Sequence, residues 1–391
     1  MKKILFITNN FPPISDGVGD YTYNLAKTLL SKNVEIHIIC SSKKEIKGKI
    51  GAYKNENINI YPVINKWDRS GCNQCLEQIE AINPNWISLQ YVPHAFNKYG
   101  LPKDMIYLAN NIRKKELNLH VFFHEVYTKI NYRSYKSILL GIAMRYITKR
   151  IANAAKLLST SNEGYQQLLG KVTNNTVSII PVGSNINVNN SPLNAELKEQ
   201  LKISSDTFII STFGVKVRGL DSILKLAEEF KLKGIKFKFI FIGNLLKKEE
   251  IKSHIKKLGL EDHILITGFL NDNEVLDYLA ISNLYLMLEA LDDKNTWSGS
   301  STRSGTLSTA FFMGLPIIGT KGFLSNYLLK HKQNIYLIDE YEQLKNATTE
   351  ILNDKTLSTD LGKNAHRSYI ENLSWNVIAS EYAKILELEK Y

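Results

Sequence analysis

Short apolar runs alternate with amphipathic stretches along the whole chain. Stretches with the 3.6-residue period of a helix, such as Tyr21–Leu30 and Leu139–Ala154, lie between most of the runs. In the first half, the runs typical of buried strands are Lys3–Thr8, Val34–Cys40, Ile58–Tyr61, Trp86–Tyr91, His120–Phe123, Leu157–Ser159 and Val177–Ile180. In the second half they are Phe208–Phe213, Phe237–Ile242, Ile264–Thr267, Leu284–Leu288, Ile317–Gly319 and Ile335–Ile338.

This alternation predicts parallel sheets, because parallel strands need a long crossover connection. We therefore predict an α/β fold with two doubly wound, Rossmann-like domains that face a cleft. The segment IPVGSNINVNNSPLN, at 180–194, is rich in Asn, Ser, Pro and Gly and predicts the boundary. We assign residues 1–185 to an N-terminal domain, 195–372 to a C-terminal domain and 373–391 to a final helix. Ligands are expected at the carboxyl ends of the strands, where such folds bind them.

Composition narrows the class of partner. The 391 residues carry a net charge of +11 and are 44% hydrophobic. No nucleic-acid-binding signature accompanies the lysines, so we expect phosphorylated small molecules or an anionic membrane surface as partners and no nucleic acid. No apolar run reaches the roughly 18 to 20 residues of a membrane span, and the apolar start before Asn9 is too short for a signal peptide. We expect a cytoplasmic protein.

The sequence predicts no metal site and no cofactor. Cys40 stands alone, and Cys72 and Cys75 form a single C-x-x-C with no second pair to complete the four ligands of zinc. No Asp-x-Asp follows a strand, and Asp292 and Asp293 lie in a polar loop.

A first glycine-rich segment, NNFPPISDGVGDYTYNLAKTLL, follows the first strand. Gly17-x-Gly19 lacks a third glycine, since Thr22 stands at that position, which disfavours a dinucleotide site. Backbone N–H groups from Gly17 to Gly19 are expected to approach a phosphate or sugar in a loop. The alternative is that these glycines only permit a tight start to the helix.

A second candidate is GSSTRSGTLSTAFFMGLP, at 299–316. The free N–H groups of Gly305, Thr306 and Leu307 at a helix start, with Arg303 before them, predict an anion site. In the alternative, Ser304 or Thr306 is only an N-cap and Arg303 is a solvated surface cation.

Several segments together resemble the GT-B glycosyltransferases of family 4, and the resemblance covers essentially the whole chain. They are FPPISDGVGDYTYNLAKTLL, LQYVPHAF, VFFHEV, STSNEGYQQL, TGFLNDNEVLDYLAISNLYLML and LGKNAHRSYIENLSWNVIASEYAKILEL. The resemblance implies metal-independent, retaining transfer of a hexosyl group from a nucleoside diphosphate sugar of the UDP or GDP type. It also implies that the final helix crosses back to the N-terminal domain.

The resemblance assigns site residues, with one departure. Most of the family carries two glutamates where this chain has Ser301 and Thr309. Their hydroxyls can still bond sugar or ribose, without charge assistance. The G-x-S-x-R-x-G-T-L run resembles a branch of the family with an arginine in this loop. It implies a donor site built from Ser301, Arg303, Ser304, Gly305, Thr306, Leu307 and Thr309.

Three further cationic or imidazole side chains follow from the resemblance. Lys216 and Arg218, after the strand that ends at Gly214, correspond to the family's basic residues at the donor diphosphate, and Gly243 lies at the end of the next strand. Such cations stabilise the charge that develops on the leaving nucleotide. His124 is expected beside the donor sugar and the acceptor hydroxyl. The alternatives are surface charges at a turn and a structural histidine.

The segment YRSYKSILLGIAMRYITKRIANAAK, at 132–156, interleaves cations with apolar residues. It is expected to be a helix that packs on the core, or one that lies on anionic lipid. We therefore expect a saccharide or lipid-linked saccharide acceptor, in the assembly of a surface polysaccharide on the cytoplasmic side of the membrane. Two alternatives stay open: a sugar-nucleotide epimerase, and a degenerate GT-B protein that only binds a nucleotide or serves as a scaffold.

Overall fold

The computed structural model describes residues 1–127, 130, 134–186, 194, 196–289, 291 and 298–388. The chain divides into two compact units. The first comprises residues 1–185 and 375–391, and the second comprises 186–374. Asp292, Asp293 and residue 195, at which we began the second domain, lie outside the described residues.

The described part of the first unit holds a seven-stranded parallel sheet in the order β3-β2-β1-β4-β5-β6-β7. Its strands are β1 (Lys2–Ile7), β2 (Val34–Ser41), β3 (Ile58–Ile64), β4 (Trp86–Tyr91), β5 (Leu119–Phe123), β6 (Leu157–Thr160) and β7 (Val177–Ile179). Its helices are α1 (Gly17–Leu30), α2 (Lys44–Lys47), α3 (Ile50–Asn55), α4 (Arg69–Ile82), α5 (Pro93–Phe96), α6 (Lys103–Lys114), α7 (Tyr135–Ala152) and α8 (Glu163–Gly170).

The described part of the second unit holds a six-stranded parallel sheet in the order β10-β9-β8-β11-β12-β13. Its strands are β8 (Phe208–Phe213), β9 (Phe237–Ile242), β10 (Ile264–Ile266), β11 (Leu284–Met287), β12 (Ile317–Thr320) and β13 (Tyr336–Ile338). Its helices are α9 (Leu197–Gln200), α10 (Leu220–Leu232), α11 (Lys248–Lys257), α12 (Asp272–Ala280), α13 (Gly305–Phe312), α14 (Tyr341–Asn353) and α15 (Lys355–Ser368), followed by a π-helical turn (Tyr369–Leu373).

Both sheets are covered on two faces, which explains why their strands read as continuous apolar runs. Ile4, Leu5, Phe6 and Ile7 on the central strand β1 are all fully buried. In the second unit β9 shows the same pattern, with Phe239 and Ile240 on opposite faces in two different core clusters. The predicted α/β class and doubly wound sheets are confirmed.

Helix α1 begins earlier than predicted, at Gly17. The first glycine segment was expected to be a loop, and this expectation is corrected. Asp16 caps the helix and accepts hydrogen bonds from the amides of Val18 (3.0 Å) and Gly19 (2.9 Å). Gly17 and Gly19 therefore lie in the first helical turn, not in a loop, and at least two of the amides expected to bind phosphate are engaged by the cap. A Cβ on Gly19 would lie 3.0 Å from the carbonyl oxygen of Asn10, so the helix needs this glycine to pack closely.

The last helix, α16 (Trp375–Ile385), belongs to the first unit. The indole N–H of Trp375 donates to the carbonyl oxygen of Ser184 at 2.8 Å. The Tyr382 side chain is fully buried in the same core cluster as Phe6 and Phe122. Within the residues that the structure describes, no helix is both long and apolar enough to cross a bilayer.

Candidate functional site

Glycines bring the ends of two neighbouring strands of the second sheet together. Gly214 follows β8 and Gly243 follows β9, and both have positive φ angles, +140° and +125°. A Cβ on Gly243 would lie 2.7 Å from the carbonyl oxygen of Gly214. The amide of Gly243 donates to Thr267 Oγ1 at 3.0 Å, beyond the end of β10. Gly214 and Gly243, two of the predicted donor-site residues, therefore lie side by side at the carboxyl edge of this sheet.

The start of α10 packs directly on the end of β11. Gly219 has φ +70°, and a Cβ there would lie 2.6 Å from the Cβ of Leu288. Only glycine fits this contact without displacing one of the two segments. The residues before and after the contact, Arg218 and Glu289, are consequently neighbours.

Glu289 holds two arginines at this point. Its carboxylate is in ion-pair contact with Arg218 and lies 3.5 Å from the guanidinium of Arg303. The Glu289 side chain is 8% exposed, while those of Arg218 and Arg303 are 45% and 26% exposed. Burial and the neighbouring Arg303 lower the pKa of Arg218, which still stays charged at any physiological pH. Among the described residues, the two guanidinium groups share this one carboxylate, and both reach solvent.

The serine-rich loop, residues 298–304, is fastened by its own hydroxyl groups. Ser298 donates to the carbonyl oxygen of Glu289 at 3.2 Å, and Ser300 donates to that of Met287 at 2.8 Å. Asn326 donates to the hydroxyl of Thr302. These bonds satisfy backbone groups at the end of β11, where the sheet ladder has stopped. The small polar residues therefore hold Arg303 in place.

Helix α13 begins at this loop with its first amides open. The Ser304 hydroxyl accepts from the amide of Leu307 at 3.4 Å, which removes Leu307 from the predicted donors. The hydroxyls of Ser304 and Thr306 are 2.9 Å apart, and Thr306 also bonds the Tyr285 side chain. Among the described residues, the amides of Gly305 and Thr306 have no acceptor. A helix start with open amides beside two arginines favours an anion.

Two of the residues predicted to bind the donor have buried side chains. Ser301 is 1% exposed, and its hydroxyl accepts from the amide of Arg303. Thr309 is fully buried, and its hydroxyl donates to the carbonyl oxygen of Gly305 at 2.9 Å, within its own helix. In this structure both hydroxyls are engaged inside the protein, so their burial does not favour the expectation that they bond sugar or ribose.

Lys216 is less well supported than Arg218. Lys216 is exposed, and the buried Val217 separates it from Arg218 in the sequence. No ion pair joins Lys216 to a residue of the described chain. The structure thus brings Arg218 and Arg303 together and leaves Lys216 as a solvated cation near the same turn.

His124 lies at the end of β5 in the first unit. The centroid of its ring lies 4.4 Å from that of Phe122 and 4.8 Å from that of Tyr21, whose ring it meets edge-on. Its Nε2 is 2.9 Å from Oε1 of Gln90. Burial, and then the nearby His120, lower the pKa of His124 far below its ordinary value. His124 is therefore neutral near pH 7. It can act as a hydrogen-bonding group but not as a cation.

A buried polar network extends from His124 toward α16. Gln90 Nε2 donates to Ser88 Oγ at 2.9 Å and to the Tyr382 hydroxyl at 3.0 Å. His120 bridges Ser88 and Ser159, at 2.9 Å on each ring nitrogen. Each hydrogen bond fixes the orientation of the next side chain, so the network positions the His124 ring.

His120 makes the stability of the protein depend on pH. Burial lowers its pKa to about 3, against 6.5 in the unfolded chain. Because the unfolded state binds the proton more readily, the free energy of unfolding falls as the pH drops from about 6.5 toward 3. At pH 5 the loss from His120 approaches about 2 kcal/mol. Urea unfolding at pH 7.5 and pH 5 measures it. We expect a smaller decrease in His120→Gln, and an equal decrease in both proteins would contradict this assignment.

Sequence reasoning missed Glu289 and Gln90. Glu289 comes two residues after the buried strand LYLM, and a carboxylate at the carboxyl end of a buried strand was a detectable signal. Gln90 lies inside a strand, where alternation alone does not separate a polar core residue from a partner of His124.

No group of three or more His, Cys, Asp or Glu side chains that could hold a metal ion occurs among the described residues. Cys40, Cys72 and Cys75 are free and buried. Burial raises the pKa of the Cys72 thiol to about 12, so it stays protonated.

Comparison with known proteins gives a family match in the second half and structural matches over the whole chain. Residues 194–368 match the family model described as glycosyl transferases group 1. A glycosyltransferase from Rickettsia africae ESF-5 is 16% identical, with TM-score 0.72, over 99% of this chain and 98% of that one. Sucrose-phosphate synthase from Thermosynechococcus elongatus is 14% identical, with TM-score 0.73, over 99% of each chain.

Anabaena HepE, solved in complex with UDP-glucose, is 15% identical, with TM-score 0.72, over 99% of this chain and 100% of that one. The comparison with curated proteins found no match. The structural similarities show a GT-B fold over the whole chain and confirm that prediction. The family match supports the resemblance for the second unit, which carries the two arginines.

Proposed function

We propose that this protein is a glycosyltransferase that uses a nucleoside diphosphate sugar of the UDP or GDP type. The observation that carries the proposal is the pair Arg218 and Arg303 beside the open amides of Gly305 and Thr306. A diphosphate brings two or more negative charges and many acceptor oxygens. Guanidinium groups and helix-start amides are the donors that suit such a ligand.

The same cations explain how transfer is accelerated. As the bond from the sugar to the diphosphate breaks, negative charge grows on the leaving phosphate oxygen. Arg218 and Arg303 are already ordered by Glu289, so they stabilise this charge without reorganising. In this proposal the protein supplies the positive charge itself, and transfer continues in EDTA. Lys216 would add to the field as an exposed cation.

Two buried polar atoms near the serine-rich loop lack a hydrogen-bond partner in the described chain. Thr320 Oγ1 and Asn326 Oδ1 have no hydrogen-bond partner within the described structure. Buried polar groups are nearly always satisfied, so those left over mark places where a ligand or water completes the bonding. Both atoms are as deeply buried as Ser301 and Thr309, so an ordered water is the partner that suits them.

We assign the acceptor to the first unit, with His124 as the residue that orients an acceptor hydroxyl group. A neutral imidazole held by Gln90 is suited to orienting a hydroxyl group. The acceptor proposed is a saccharide or a lipid-linked saccharide, in the assembly of a surface polysaccharide, with retention of configuration at the transferred sugar. These finer assignments rest on the resemblance of the sequence.

The test is an assay with a panel of UDP- and GDP-sugars and saccharide or lipid-linked acceptors, in EDTA. We expect one donor to release its nucleoside diphosphate when an acceptor is added, with the sugar recovered on the acceptor. Conversion of the sugar nucleotide into an epimer without an acceptor would contradict the proposal in favour of an epimerase. Binding of nucleotide without turnover of any donor would favour the scaffold alternative.

A further inference from the structure

Helix α7 presents a stripe of large apolar side chains to solvent. Tyr135, Leu139, Ile142 and Tyr146 are 87%, 69%, 56% and 57% exposed. Their spacing of four, three and four residues puts all of them on one side of the helix. We call these four residues the outer stripe of α7.

The outer stripe is not the side by which α7 packs on its domain. The core-facing residues Met144, Ile147 and Ile151 are at most 5% exposed. On the same inner side, a Cβ on Gly141 would collide with the Ile130 side chain. A helix that has already buried one apolar face normally turns a polar face to water. Four large apolar side chains on the other face therefore indicate an interaction surface.

The charges on α7 have a single sign. The helix YKSILLGIAMRYITKRIA contains no Asp or Glu. Lys149 and Arg150 are exposed three and four residues after Tyr146, so they continue the outer stripe. Arg145 is held over the Tyr127 ring at 5.1 Å and faces the domain instead.

We propose that the outer stripe of α7, with Lys149 and Arg150, docks on an anionic lipid surface. In this position Leu139 and Ile142 enter the acyl boundary and the two tyrosine hydroxyls stay at the level of the headgroups. Lys149 and Arg150 reach past the apolar side chains with their long stems and pair with lipid phosphates. A second copy of the chain fits less well, because two such stripes bring cations together with no carboxylate between them.

The test is sedimentation of the full chain with vesicles of phosphatidylcholine, with and without phosphatidylglycerol. We expect binding only with phosphatidylglycerol, and its loss at high salt. Leu139→Ser with Ile142→Ser should lower the partition coefficient at least about tenfold. Lys149→Glu with Arg150→Glu should lower it by a similar factor, since each removed cation contributes about fivefold.

Lys256→Glu with Lys257→Glu, on exposed positions of α11 in the other unit, makes the same change in net charge and is the matched control. It should bind like the unmodified protein, and circular dichroism checks that every variant is folded. Equal binding to both vesicle types, equal losses in the control, or a stable dimer that disappears in Leu139→Ser with Ile142→Ser would overturn the proposal. None of these outcomes depends on the proposed sugar transfer.

Discussion

Arg303→Ala is expected to reduce the rate of sugar transfer by about 10²- to 10³-fold, the usual effect of removing one preorganised donor to a developing negative charge. The guanidinium lies 3.5 Å from Glu289 and is held by a loop whose hydroxyls bond the end of β11. Its loss leaves Glu289 paired with Arg218, so the buried carboxylate keeps a partner. Arg303→Lys should recover only part of the rate, because lysine keeps the charge but loses the planar two-point contact.

The measurement is kcat and KM of both variants with the donor found in the assay, together with their thermal midpoints. Arg113→Ala is the matched control, because Arg113 is an arginine of the first unit that contacts only the carbonyl oxygen of Asn153 in the described hydrogen bonds. Retention of full activity by Arg303→Ala, with the donor bound normally, would exclude this arginine from the donor site.

Glu289→Gln is expected to shift binding and turnover in opposite directions. The substitution keeps the size of the side chain and removes the negative charge shared by Arg218 and Arg303. The summed charge of these three side chains rises from +1 to +2, so a nucleoside diphosphate should bind about 5- to 10-fold more tightly. Turnover should fall, because the two guanidinium groups repel each other and lose their fixed orientation.

The free energy of unfolding should also fall in the absence of ligand, by about 1 to 2 kcal/mol. The loss is kept small because both guanidinium groups reach solvent. Asp339→Asn is the matched control: this exposed carboxylate of the second unit pairs with Lys321 at 2.7 Å. It should change neither the dissociation constant nor the rate. Parallel losses of binding and turnover in Glu289→Gln would show that Glu289 only supports the fold.

The fold was predictable because each buried strand is a continuous apolar run. Trp86–Tyr91, Phe208–Phe213 and Phe237–Ile242 have the predicted bounds, and both sheets are parallel. The error at α1 has a local cause: Asp16 takes the amides of Val18 and Gly19, so the helix starts at glycines that look like loop residues. Side-chain capping of this kind overrides the low helix propensity of glycine.

The site was predictable only in part, because its residues come from segments distant in sequence. The start of α13, with its open amides, could be read from Gly305 and Thr306 directly. The pairing of Arg218 with Glu289 depends on the contact between Gly219 and Leu288, which no local pattern reveals. The burial of Ser301 and Thr309 was not predictable for a similar reason, since it is decided by tertiary packing around α13.

The central claim is that the second unit binds a nucleoside diphosphate at Arg218, Arg303 and the start of α13. The most direct measurement is the thermal midpoint of the unmodified protein and of Arg303→Ala with UDP, GDP, ADP or CMP, each with and without EDTA. At about 100 times its dissociation constant, one diphosphate should stabilise the unmodified protein by about 2.7 kcal/mol, regardless of EDTA. The same concentration should stabilise Arg303→Ala far less. If no nucleotide shifts the midpoint, or if the shift is equal in both proteins, the helix start is only capped and the claim is wrong.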